Sequence, residues 1–131
     1  MLREVSAALD SHLAVLPGLP PVAWPNVQFE PPQSGVYLSV MNMPADGTMY
    51  SMDRQQNTPG VYRINIYGDI NKGPAEVENM GDKIAQHFRD SSTGLIPSLF
   101  IEDIRFSPSI TQGDTHMLPM SINWRYFHNG F

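Results

Sequence analysis

Residues 60–89, GVYRINIYGDINKGPAEVENMGDKIAQHFR, run from a strand through a polar turn into an amphipathic helix. Val61, Tyr62, Ile64, Ile66 and Tyr67 are β-branched or aromatic, the residue types that suit a pleated, half-buried strand. Gly68 to Gly73 breaks that period with turn residues. Pro74 has a fixed φ and no N–H to lose, which fits the first position of a helix. Val77, Met80, Ile84 and Phe88 then recur at spacings of three and four and form one apolar stripe. Glu76 and Glu78 stand near the positive end of that helix's dipole, and Lys83, His87 and Arg89 near the negative end.

The turn mimics a nucleotide-binding loop. Gly68 and Gly73 have the Gly-x-x-x-x-Gly spacing between strand and helix that a phosphate loop requires. The next two positions should be Lys and Ser or Thr, to reach phosphate and magnesium, but they are Pro74 and Ala75. Pro74 also removes a backbone N–H where an anion would be cradled. A calcium loop over Asp69, Asn71 and Gly73 fails too, because the bidentate Glu it needs is Met80. The turn reads as a plain strand-to-helix connection.

Outward from this unit, 131 residues make one domain, 1–131, with a core supported by 41% hydrophobic residues. No apolar run is long enough to span a membrane. The opening residues, MLREVSAALDSHLAVL, carry acids and a His among apolar positions and read as an amphipathic helix rather than a signal peptide. Cys is absent, so disulfides, thiolate metal sites and thiol nucleophiles are excluded. Eight basic against thirteen acidic residues give a net charge of −5 with no basic run, which argues against a phosphate-gripping surface. Eight Met beside two lysines, Lys72 and Lys83, match the composition of interfaces, where Met is enriched and Lys depleted.

Leu2, Val5, Leu9, Leu13 and Leu16 form the stripe of a first helix, which Pro17-Gly18 ends. Residues 17–33 are proline-rich, with Trp24 and Phe29 among the prolines. Such a segment is extended and is laid over the body by its aromatic anchors or ordered by a neighbouring subunit. A strand from Val36 to Met43 puts Val36, Leu38 and Val40 on one face. Pro44 to Thr48 is turn chemistry, Met49 to Asp53 a possible short strand, and Arg54 to Pro59 a polar loop. Phe100, Ile104 and Phe106 give a further strand its inward parity. Met120, Ile122, Trp124 and Tyr126 do the same for the last strand, with Pro119 at an edge or strand-entry position. The expected fold is α+β: a mostly antiparallel four- to five-stranded sheet packed with two helices.

No catalytic constellation emerges. His12, His87, His116 and His128 lie in four different contexts without ligand spacing. His87 complements a helix dipole, and His116 beside Asp114 belongs to a polar hairpin loop. Glu102 and Asp103 are adjacent in a strand and so point to opposite faces, one of them a partner for Arg105 or Arg125. No Gly-x-Ser-x-Gly elbow exists. The expectation is a protein without catalysis, cofactor or metal.

In order and length nearly the whole chain resembles the tail terminator (tail-completion) proteins of long-tailed bacteriophages. A first helix leads into PGLPPVAWPNVQFEP. A strand ends in Met43-Pro44-Ala45, and Gly60-Val61-Tyr62 opens the strand–turn–helix unit. The chain closes on Pro119-Met120-Ser121-Ile122-Asn123-Trp124-Arg125. The resemblance implies a virion protein, made in the host cytoplasm and placed at the head-proximal neck of the tail. There it would form a hexameric ring that ends tail-tube polymerisation. Its partners would be other copies of itself, the tail-tube protein and a head–tail connector or stopper, with DNA passing through the lumen unbound. A stopper or tube subunit is the near alternative; a small monomeric enzyme or ligand-binding domain is the distant one. Candidate assembly contacts gather in and beside the loop 45–59: Met43, Asp46, Met49, Met52, Asp53 and Arg54. Methionines adapt to contacts that form on assembly, and charges fix orientation. The same pattern fits a surface loop whose methionines pack into the subunit's own core.

Overall fold

A computed structural model describes residues 2–25, 27–30, 35–44, 48–49, 55–69, 75–90, 99–112 and 115–129. Helix α1 is Leu2–Ala14 and α2 is Ala75–Asp90; the strands are β1 Val22–Ala23, β2 Tyr37–Pro44, β3 Thr48–Met49, β4 Gln55–Asp69, β5 Leu99–Phe106, β6 Ile110–Gln112 and β7 Thr115–Asn129. They form one sheet in the order β1-β2-β4-β7-β5, with β3 on β4 and β6 on β7. Only β1 and β2 run parallel among the described pairs. The architecture is the expected α+β sheet with two helices, enlarged by the three short strands. β4 and β5 are both antiparallel to β7, so they share a direction. Helix α2 crosses between them and β7 returns into the gap.

The apolar stripes pack both helices on one face of this sheet. Val5, Leu9 and Leu13 of α1 and Val77, Ile84 and Phe88 of α2 are fully buried. They meet Leu38 and Val40 of β2, Tyr62, Ile64 and Ile66 of β4, and Met120, Ile122 and Trp124 of β7. Burying each such side chain contributes roughly 1.5–3 kcal/mol. Polar links add specificity to the docking of α1. The Asn42 side chain donates to Ser6 at 2.8 Å and accepts from Trp124 Nε1 at 2.8 Å, and the Tyr62 hydroxyl donates to Asp10 at 2.5 Å. Burial and the Asp10 carboxylate together push the Tyr62 phenol far above its ordinary range.

The proline-rich segment has a fragment of sheet after all. β1 pairs with Leu38 and Ser39, and Leu38 N–H donates to the Pro21 carbonyl at 2.9 Å. Its aromatic anchors do hold it: Trp24 packs against the core, and the Phe29 ring lies 5.7 Å from that of Tyr37.

Three boundaries differ from the sequence reading. Gln55–Pro59 is not a loop but the first third of β4, paired to β7 from Asn129 to Arg125. Backbone ladders do not depend on side-chain polarity, so a strand can run on beyond its buried stretch. β4 likewise continues through Gly68 and Asp69, and β7 begins at Thr115, which takes His116 out of the supposed hairpin loop. Pro119 lies inside a central strand rather than at an entry. Its carbonyl accepts from Ser107 N–H at 3.0 Å. A strand residue's N and O face the same side, so the missing N–H is the one that would complete the pair with Ser107, and the loss falls at the break between β5 and β6, where the ladder is already interrupted. The phosphate-loop look-alike at 70–74 lies outside the described residues.

Candidate assembly surface

No described helix covers the other face of the sheet. Antiparallel sheets can leave one face to water; this one also leaves large apolar side chains there. Met41 is 57% exposed and Met43 38%, so neither is tucked into the subunit's own core. Register builds a row across four strands. Met43 stands opposite Val61, Val61 opposite Asn123, and Asn123 opposite Asp103. The parallel row beside it holds Met41, Arg63, Ser121 and Arg105. A shallow depression of about 470 Å³ opens here, lined by Met43, Val61, Glu102, Arg105, Asn123 and Arg125.

The charges of this surface are set by a β-bulge. β5 slips against β7 between Ile101, opposite Trp124, and Asp103, opposite Asn123, which leaves Glu102 as the extra residue. The extra residue breaks the alternation, so Glu102 and Asp103 do not point to opposite faces. Both turn to the open one. Arg125 Nε donates to Glu102 at 2.8 Å, Arg105 Nε donates to Asp103 at 2.9 Å, and Asn123 donates to the other Asp103 oxygen. The Asn123 bond, followed by those of Arg105, holds the Asp103 carboxyl below its ordinary range. Solvent screens such exposed pairs and they add little stability; their effect is a fixed charge pattern. The bulge also corrects the parity of β5. Leu99, Ile101 and Ile104 face the core side, while Phe100 is 41% exposed on the open face against Phe127, ring to ring at 5.8 Å.

Of the expected contacts, Met43 is on this face. Met49 lies in β3 with its backbone opposite Gln56, and Asp46, Met52, Asp53 and Arg54 lie outside the described residues. Sequence reasoning missed Phe100 as a member of the surface, and it set Glu102 and Asp103 on opposite faces where the bulge puts both on this one. The tandem Glu102-Asp103 in a mostly apolar strand was the available signal for a bulge.

The histidines are not in four separate contexts. His12 and His87 stack with ring centroids 4.0 Å apart and planes 9° apart. Among the described residues, no group of three or more His, Cys, Asp or Glu comes together as a metal site, and no helix is long and apolar enough to cross a membrane.

A family model described as phage tail terminator protein matches residues 4–124. One solved structure, described without a function, superposes with a TM-score of 0.70 at 25% identity, covering 100% of this chain and 99% of its own. A chain from the virion of a native gene transfer agent particle superposes with a TM-score of 0.52 at 13% identity, covering 96% and 90%, a likeness of fold. No curated protein sequence matches.

Proposed function

We propose, for a chain that belongs to the phage tail terminator family, that it closes into a hexameric ring at the head-proximal end of the tail, stops tube polymerisation there and presents a face to the connector or stopper. The observation that carries this is the family match, which runs from α1 into the closing strand. The open sheet face supports it, because its exposed methionines and oriented ion pairs suit a surface completed by another chain. Met43, Asp46, Met49, Met52, Asp53 and Arg54 are the contacts we assign to assembly, and we assign the protein no catalytic step.

Native mass spectrometry of the purified protein, with tail lengths in a virion-assembly assay, tests the reading. Rings of six and normal tails are expected for the wild type. Reversing charge at Asp53 and Arg54 together should leave folding intact and abolish ring closure or tube docking. A wild type that stays monomeric at assembly concentrations and leaves tail length unaffected by its removal would overturn the ring. Normal assembly by the double variant would overturn those two contacts alone.

A conduit works best if it does not grip what it conducts. With net charge −5 and no basic run, the protein should show no measurable affinity for duplex DNA at physiological salt. Tight, salt-sensitive retention in a filter-binding assay would contradict this.

A further inference from the structure

Helices α1 and α2 end side by side, and the histidines of their last turns cross over. His12 Nε2 lies 3.1 Å from the His87 carbonyl oxygen, and His87 Nε2 lies 2.7 Å from the His12 carbonyl oxygen. A carbonyl only accepts, so both rings carry a proton on Nε2. Both carbonyls fall among the last four of their helices, which lack intrahelical donors. Each ring therefore caps the other helix. Phe88 closes the site edge-on to His12 at 4.9 Å.

We propose that His12 and His87 form a proton-operated clasp between the C-terminal ends of α1 and α2, closed while at most one ring is charged and opened when both are protonated. The first proton goes to an Nδ1 and leaves both caps in place; the converging negative ends of two helices tolerate it. The second would set two like charges at the stacking distance of 4.0 Å in a partly desolvated site. Only parting the rings relieves that, and parting them breaks both caps.

Among the described residues no carboxylate bonds to either ring, and the charge that acts on His12 is that of His87. On α1, Asp10 is engaged by the hydroxyl of Tyr62, the sheet residue packed behind Phe88. On α2, Lys83 and Arg89 add positive charge, and Asp90 accepts from Gln86 at 2.8 Å. The segments that follow the two helices, 15–21 and 91–98, contain no titratable side chain. Burial lowers the His12 pKa from its ordinary 6.5; the bond to the His87 carbonyl opposes this, and the charge of His87 adds to it. A lowered value means that folding favours the neutral ring. The clasp's contribution is therefore full above 6.5 and is lost as pH falls through the folded value.

The clasp does not depend on ring assembly, and hydrogen exchange corrected for the intrinsic pH dependence tests it in the isolated protein. In the wild type, protection at the C-terminal ends of α1 and α2 should fall about tenfold between about pH 7.5 and about pH 5, while β4 keeps its protection. In His12→Gln, which retains an N–H donor but does not titrate, that fall should vanish. Protection that ignores pH in the wild type, or an equal fall in the variant, overturns the clasp. If the variant does not fold, ¹⁵N shifts of the wild-type imidazoles decide. Two Nε2–H tautomers with unequal protonation steps support it, and an Nδ1–H tautomer or two independent steps at the ordinary value sink it.

Discussion

Truncating Phe88 to alanine will destabilise the domain by about 3–5 kcal/mol, the cost of removing a buried phenyl ring. Phe88 is fully buried at the meeting of α1, α2 and β4, with its ring 4.9 Å from that of His12 and 6.2 Å from that of Tyr62. Three elements cannot all collapse into the space it leaves, so most of the cavity term persists. Gln86→Ala, two residues away on the exposed side of α2, loses a surface bond to Asp90 and should cost under about 0.5 kcal/mol. Chemical denaturation above the titration range of the histidines measures both. Equal, small losses would mean that α2 docks by another face.

Gly60→Ala should cost about 3 kcal/mol, a large effect for one methyl group. Gly60 and Trp124 are cross-strand partners, and a Cβ built on Gly60 falls 2.2 Å from Trp124 Cζ2. The indole is fully buried and tied by Nε1 to Asn42, which in turn holds Ser6 of α1. Making room thus adds a broken buried hydrogen bond to the usual overpacking penalty. Gly81→Ala meets Phe106 Cε1 at 2.9 Å, but Phe106 is 40% exposed and can swing aside. There a gain in helix propensity of about 1 kcal/mol offsets the strain, and the net change should be near zero. Thermal melts of both variants make the comparison. A Trp124→Phe background should reduce the cost of Gly60→Ala, because the smaller ring vacates the contested space. Additivity of the two changes would refute this packing account.

Much of this arrangement was legible in residue order. The stripe Val5, Leu9, Leu13 and the stripe Val77, Ile84, Phe88 mark both helices and the faces they bury. The alternation of Met120, Ile122, Trp124 and Tyr126 marks the final strand and its inward parity. What escaped has a common character. The polar stretch Gln55–Pro59 is strand because β7 runs alongside it, and nothing in its own side chains says so. Glu102 and Asp103 share a face because β5 slips by one residue against β7, an event set by the partner strand. The acidic pair reads differently once that slip is known, and with it the charge pattern of the open sheet face.

By itself, then, the order of residues determined the class of fold, the buried face of each helix, the absence of cysteine and the absence of any basic run. Each of these depends on composition or on a period of two or 3.6 residues, which a chain carries locally. Only the tertiary structure decided that His12 meets His87 across 75 residues, that Trp124 lies over Gly60, and that Met43, Val61, Asn123 and Asp103 form one row. Periodicity states that a side chain faces inward or outward relative to its own element. Which side chain it meets there follows from register and helix docking, and those are settled jointly by partners far apart in the chain.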